Sequence, residues 1–233
     1  LFDELKLLEE KTGFVMSNSP TVNVGYEVKS ELKKVKHNHK MLSLDKTKSV
    51  SDLIKFLNGN EGIMMLKMDG LTVSLRYLNG QLVSAETRGN SEIGEDVLHN
   101  ARVFTNIPLK IDYKEELIVD GEAIITYNTF NEINSKLPED KKYKNPRNLA
   151  SGSVRQLDSK IAKDRNIRFI AWKVVKGFYG NDFHDKLICL YDLGFEIVPC
   201  MEIKSFKECD FEEAIEELKE EAKFLNYPID GIV

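Results

Sequence analysis

The clearest hydropathy pattern in the chain is a pair of alternating segments on either side of an Asn-Gly pair at positions 79 and 80. Val73, Leu75 and Tyr77 alternate with polar residues, which is the pattern of a strand with one buried and one solvated face. Asn-Gly suits the two left-handed positions of a tight hairpin turn. The pattern therefore predicts an antiparallel hairpin whose second strand covers residues 81–87.

Other segments predict further strands. Residues 63–66 form an apolar run typical of a buried strand, and residues 117–125 and 168–175 are two more strand candidates. Residues 11–40 are polar and rich in turn-forming residues, so we expect a loop followed by a short strand there.

Helical spacing of apolar residues appears near both ends of the chain. Residues 2–10 and 211–226 each place their apolar side chains on one face, as in amphipathic helices. Ser49 with Asp52 resembles a capping box and predicts a helix that continues to Leu57. Hairpins mixed with helices favour an α+β domain built around antiparallel sheet.

Composition is that of an ordinary soluble protein. The chain has 233 residues, of which 42% are hydrophobic and 30% charged, and about 150 residues per domain gives one to two domains. No apolar run approaches the roughly 20 residues of a membrane helix, and the first residues show no basic-then-apolar signal-peptide pattern. Cys189, Cys200 and Cys209 have no metal-binding or disulfide spacing. We therefore expect reduced thiols, no membrane association and a cytoplasmic location.

The net charge of -5 hides two segments of opposite sign. Residues 141–168 contain nine Lys and Arg against two Asp, whereas residues 201–223 contain nine Asp and Glu against four Lys. The basic segment is either a phosphate-binding face or a solvated one, and charge alone leaves both interpretations open. The acidic segment is most simply a solvated helix face.

Lys67 is the first candidate for chemistry. It ends an apolar run between Leu66 and Met68, and burial there would disfavour its ammonium form. A neutral lysine is a nucleophile towards phosphorus or carbon. Asp69 and Gly70 follow and supply a carboxylate and a turn that lets the backbone approach a ligand.

Two further short motifs follow strand-like segments. Arg88 lies between Thr87 and Gly89, and Glu122 follows Asp120-Gly121. An arginine suits a phosphate, and a glutamate suits a ribose or a metal ion. With Lys67 they make a workable nucleotidyl-transfer site. For His37 and His39 we expect solvated or capping roles, since no third metal ligand is evident.

With these motifs the sequence resembles the adenylation domain of bacterial NAD-dependent DNA ligases. The resemblance runs nearly the full length of the chain, and its most specific part is the block from Asn145-Pro146-Arg147-Asn148 to Arg155-Gln156-Leu157-Asp158. Its other motifs are Ser19-Pro20-Thr21, Met41-Leu42-Ser43-Leu44-Asp45, Lys67-Met68-Asp69-Gly70, Thr87-Arg88-Gly89, Gly94-Glu95-Asp96 and Asp230-Gly231-Ile232-Val233.

The resemblance implies a fold and a domain division. The fold would be an antiparallel-sheet nucleotidyltransferase fold, ATP-grasp-like, with flanking helices. Residues 1–18 would be a remnant of the N-terminal nicotinamide-binding helical domain. Residues 19–233 would be the adenylation domain, incomplete at its C-terminus.

The resemblance also implies roles for residues. Lys67 would attack the adenylyl phosphorus of NAD and hold AMP, which would pass to a DNA 5′-phosphate before the nick is sealed. Arg147 and Arg155 would bind nicked double-stranded DNA, and Glu122 would hold Mg²⁺. The resemblance further implies that the protein acts as a monomer in DNA replication and repair. The residues implied for the nucleotide are Ser43, Leu44, Asp69, Arg88, Glu122, Trp172 and Asp230.

Departures from the family pattern keep two alternatives open. Met65 stands where the family has an adenine-contacting glutamate, and Asp120 stands where it has an arginine. One alternative is a ligase-like enzyme that uses another nucleotide, such as ATP, and the other is a non-catalytic nucleotide- or DNA-binding relative. We expect the chain by itself to self-adenylate slowly at best and not to seal nicks.

Overall fold

The structure is a computed structural model that describes residues 2–16, 19, 31–36, 39, 47–89, 93–180, 182–204 and 207–233. The helices in these ranges are α1 (Phe2–Thr12), α2 (Val50–Leu57), α3 (Leu98–Ala101), α4 (Tyr127–Ser135), α5 (Pro146–Val154), α6 (Ser159–Asp164), α7 (Phe183–Asp192) and α8 (Glu208–Leu225). The strands are β1 (Lys34–Lys36), β2 (Gly62–Met68), β3 (Leu71–Leu78), β4 (Gln81–Thr87), β5 (Ile93–Glu95), β6 (Leu117–Ile124), β7 (Arg168–Lys176), β8 (Cys200–Ile203) and β9 (Ile229–Ile232).

The largest described sheet has four antiparallel strands in the order β4-β3-β6-β7. Its first two strands form the predicted hairpin. Val73, Leu75 and Tyr77 are fully buried, and Asn79 and Gly80 have φ values of 51° and 76°. The hairpin prediction is confirmed because its turn chemistry and its hydrophobic alternation specify the same register.

A second, three-stranded sheet has the order β8-β2-β9, with antiparallel pairing. In its central strand Met64, Leu66 and Met68 are buried, whereas Met65 and Lys67 on the other face are only partly buried. The prediction of a buried strand at residues 63–66 is therefore correct for one face only. Leu66 and Met68 point away from Lys67, so the expectation that they desolvate it is wrong.

Helix α2 begins where the sequence predicts, but not through a capping box. Ser49 is the extended residue before the helix and its side chain caps nothing. The Asp52 carboxylate instead accepts a hydrogen bond from Thr47 Oγ1 at 2.9 Å. The shorter aspartate side chain, in place of glutamate, finds a nearer partner than the backbone N–H that a capping box requires.

Helix α8 buries an apolar stripe and exposes its glutamates. Phe211, Ala214, Leu218 and Ala222 are buried, while most of the acidic side chains between them are exposed. The acidic segment is therefore a solvated helix face, as predicted.

Sheets flanked by helices confirm the α+β class. The three cysteines are free thiols. No helix within the described ranges is long and apolar enough to cross a membrane. The domain boundary at residue 18 stays a prediction.

Candidate active site

A polar cavity of about 310 Å³ opens between the four-stranded sheet and helix α5. Its walls come from the turn between β2 and β3, from the end of β4, from β6 and from both ends of α5. Three arginines and one carboxylate face the same space, which is a charge pattern suited to a phosphorylated ligand. The lining residues are Gly70, Leu71, Thr72, Arg88, Gly89, Glu122, Arg147 and Arg155.

Two glycines allow the backbone to close this cavity. A Cβ on Gly70 would lie 2.2 Å from the carbonyl oxygen of Ala123, so only glycine lets the β2–β3 turn lie against β6. Gly89 has a left-handed φ of 52°, and a Cβ there would lie 1.9 Å from the carbonyl oxygen of Ile93. These close approaches keep Arg88 and Glu122 on the same cavity wall.

Lys67 lies on the solvent-accessible face of β2 and contacts Asp230 of β9. Its Nζ donates a hydrogen bond to Asp230 Oδ2, and the lysine side chain is 33% exposed. The two strands pair with a register shift between Lys67 and Met68. The lysine is thus held beside a proton acceptor and within reach of solvent.

The Asn-Pro-Arg-Asn block is the start of helix α5. Asn145 is the N-cap, and its side chain accepts a hydrogen bond from Asn148 N–H at 2.8 Å. Pro146 occupies the first turn, where its missing N–H costs nothing. This start carries Arg147 to the cavity, where its Nη1 donates to Asp69 Oδ1 at 2.9 Å.

Arg155 lies at the other end of α5 and is held by two acceptors. Its Nε donates to Glu95 Oε2 at 2.7 Å, and its Nη1 donates to Ser151 Oγ at 2.7 Å. Glu95 belongs to one of the motifs of the resemblance, but sequence reasoning gives it no role, because it is 60 residues from Arg155. Nothing local in the sequence signals that pair.

Glu122 is the carboxylate of the cavity. Burial raises its pKa to about 7, against the opposing effects of a hydrogen bond from Thr72, the charges of Arg147 and Lys67, and the backbone N–H of Gly70. The Thr72 Oγ1 donates to Glu122 Oε2 at 3.0 Å. Thr72 was not predicted, because only the pairing of β3 with β6 brings it opposite Glu122.

The raised pKa of Glu122 predicts a pH-dependent loss of stability. The folded protein holds this proton more tightly than the unfolded chain, so its stabilising contribution is full below pH 4.5 and is lost as the pH rises through 7. Between pH 5 and pH 8.5 we expect the free energy of unfolding of the wild type to fall by about 1 to 3 kcal/mol relative to that of Glu122→Gln. Urea unfolding of both proteins across this range measures the difference, and parallel curves would contradict it.

Trp172 does not line this cavity. On β6, Asp120 pairs with Lys173 and Gly121 with Ala171, so Trp172 is the extra residue of a bulge in β7. Its side chain is partly buried against the hydrophobic core. Ser43 and Leu44 lie outside the described residues. The roles predicted for these three residues stay predictions.

The basic segment is only partly directed at the cavity. Arg165 donates to Ser153 Oγ at 3.0 Å, and Arg168 pairs with Glu196 at 2.6 Å. These two arginines therefore connect elements of the fold. Arg147 and Arg155 are the arginines of this segment that line the cavity.

His39 is not solvated, contrary to expectation. Its side chain is 19% exposed, and its Nε2 lies 2.7 Å from Oδ2 of the buried Asp120. Within the described residues no three His, Cys, Asp or Glu side chains are grouped to hold a metal ion.

Comparison with known proteins decides the family. A family model for the NAD-dependent DNA ligase adenylation domain matches residues 29–233. The chain belongs to this family. The adenylation-domain resemblance of the sequence is thereby confirmed over most of its length.

Several relatives of this adenylation domain are named DNA ligase. Those of Lachnoclostridium phytofermentans and Ruminiclostridium cellulolyticum are 49% and 45% identical over 237 residues, and each match covers 100% of this chain. A DNA ligase of Mycoplasma capricolum is 38% identical over 237 residues and covers 94% of the chain. The matches cover 35–36% of these relatives, so the adenylation domain spans about a third of their length.

Proposed function

We propose that this chain performs the nucleotidyl-transfer chemistry of an NAD-dependent DNA ligase, with Lys67 as the nucleophile. The observation that carries the proposal is the contact of Lys67 with Asp230 beside a cavity that holds three arginines and Glu122. A nucleophile, a proton acceptor and cations for a phosphate are the parts that adenylation requires.

The first step is attack of Lys67 on NAD. The ammonium loses a proton, for which Asp230 is the adjacent acceptor, and the neutral Nζ attacks the adenylyl phosphorus. A nitrogen–phosphorus bond forms, and the bond from phosphorus to the oxygen of nicotinamide mononucleotide breaks. Arg88 and Arg147 line the cavity and stabilise the negative charge that develops on the phosphate oxygens.

The later steps transfer AMP to a nicked DNA duplex. The 5′-phosphate at the nick displaces Lys67 from the adenylyl phosphorus, and the adjacent 3′-hydroxyl then displaces AMP. Arg155 and Arg147 are partly exposed at the cavity wall, and cationic side chains in this position favour a phosphate backbone. Because the proposed substrate is bacterial DNA, we propose that the protein acts in the cytoplasm.

Glu122 suits a Mg²⁺ ion that arrives with the phosphates. Mg²⁺ is commonly held by one or two carboxylates together with substrate oxygens. The raised pKa of Glu122 shows that the surrounding cations do not fully compensate its buried charge. A bound ion would shield the phosphate charge during attack.

We propose that the protein acts on its DNA substrate as a monomer, as the family resemblance implies.

The choice of nucleotide tests the proposal. Met65 lies two residues before Lys67 on the same face of β2 and offers no acceptor for the adenine amino group, so altered nucleotide use, with ATP as the example, is the second candidate. The full gene product is incubated with Mg²⁺ and either NAD or ATP. We expect a covalent AMP adduct from NAD. An adduct from ATP alone supports altered nucleotide use, and no adduct from either contradicts both enzymatic functions.

A further inference from the structure

Thr72 lies near the start of β3 and lines the cavity. The register of β3 and β6 pairs it with Glu122, and its Oγ1 donates to Glu122 Oε2 at 3.0 Å. Directly opposite residues on paired strands are within side-chain reach, so the contact is set by the sheet rather than by a loop. The hydroxyl is therefore a fixed donor for this carboxylate.

The backbone of Thr72 also holds the Arg88 side of the same cavity wall. Its carbonyl oxygen accepts a hydrogen bond from the Arg88 N–H at 3.1 Å, where β4 ends. The next residue, Gly89, has a left-handed φ of 52°. One residue thus anchors both Glu122, through its side chain, and Arg88, through its main chain.

A neutral donor matters here because the charges of Arg147 and Lys67 act on the Glu122 carboxylate. A glutamate side chain has three torsions and would otherwise turn towards whichever cation is nearest. The Thr72 hydroxyl orients the carboxylate without adding charge, and a carboxylate has about four lone-pair sites, so acceptor capacity remains for a ligand. The cations beside or lining the cavity are Lys67, Arg88, Arg147 and Arg155.

We infer that Thr72 is a positioning residue that holds Glu122 towards the ribose hydroxyls of the adenine nucleotide bound in the cavity. The inference rests on the proposed function and adds to it a residue outside the motifs that carry the family resemblance. Thr72 acts through Glu122 and does not touch the reacting atoms.

Removing the hydroxyl tests this role. With NAD as donor, Thr72→Val in the full gene product is expected to raise KM for self-adenylation about tenfold, because a hydrogen bond to a charged acceptor is lost. The kcat stays within about twofold, because the ribose is bound equally in the ground and transition states. Thr72→Ser keeps the hydroxyl and is expected to restore KM. Thr72→Ala is a second hydroxyl-free variant and should match Thr72→Val.

A double-mutant cycle separates positioning from a general structural effect. If Thr72 acts only through Glu122, Thr72→Val combined with Glu122→Gln is no worse than Glu122→Gln alone. Additive effects of the two substitutions on KM, or a normal KM in Thr72→Ala, would overturn the positioning role. In either case an adduct formed by the wild type would still support the proposed function. A wild type that forms no adduct from NAD would overturn the proposed function and this role together.

Discussion

Replacing Lys67 with alanine is expected to reduce AMP transfer from NAD to background. The variant removes the nitrogen that would attack phosphorus, and none of the described residues that line the neighbouring cavity is a lysine. Radiolabelled NAD followed by denaturing electrophoresis measures the covalent product. Noncovalent AMP binding is expected to persist, because the arginines and Glu122 remain in place.

Lys67→Arg is the matched control for charge. It retains a cation beside Asp230, but a guanidinium stays protonated and is not a nucleophile at neutral pH. We therefore expect a folded protein with the same loss of AMP transfer. An adduct that survives in either variant would show that the nucleophile is another residue.

Gly70→Ala is expected to destabilise the fold by about 3 kcal/mol or more. The added Cβ would lie 2.2 Å from the Ala123 carbonyl oxygen and 2.9 Å from Ile124 Cγ2, so the β2–β3 turn must move away from β6. Gly70 and Glu122 both line the cavity, so AMP transfer should fall as well. Urea unfolding monitored by circular dichroism measures the stability change.

Gly152→Ala in helix α5 is the control for this substitution. Among the described residues outside the helix's own backbone, the atom nearest to its added Cβ is Tyr143 Cε1 at 4.0 Å. Alanine is favoured over glycine within a helix by up to about 1 kcal/mol. We expect Gly152→Ala to be neutral or stabilising. Equal losses in the two variants would mean that the close approach at Gly70 is not the cause.

Local chemistry explains which parts of the fold are predictable from the sequence. The Asn79-Gly80 turn and the alternation of Val73, Leu75 and Tyr77 act within a few residues of one another, so the hairpin follows from sequence. The start of α5 is similarly local, since Asn145 and Pro146 carry the signals for a helix N-terminus. The candidate nucleophile lies in a short motif and needs no tertiary information.

Contacts between distant strands explain what the sequence leaves undetermined. Thr72 and Glu122 are 50 residues apart, and only the pairing of β3 with β6 makes them neighbours. The apolar residues around Lys67 appear continuous in sequence, but the two faces of β2 separate them. The bulge at Trp172 depends on how β7 pairs with β6, which residue spacing alone does not reveal.

Mapping the modified residue tests the central claim most directly. The full gene product is incubated with NAD and Mg²⁺, digested, and searched by mass spectrometry for peptides that carry AMP. The account predicts a single modified site at Lys67. AMP on another residue, or no AMP-bearing peptide after incubation with NAD, would contradict it.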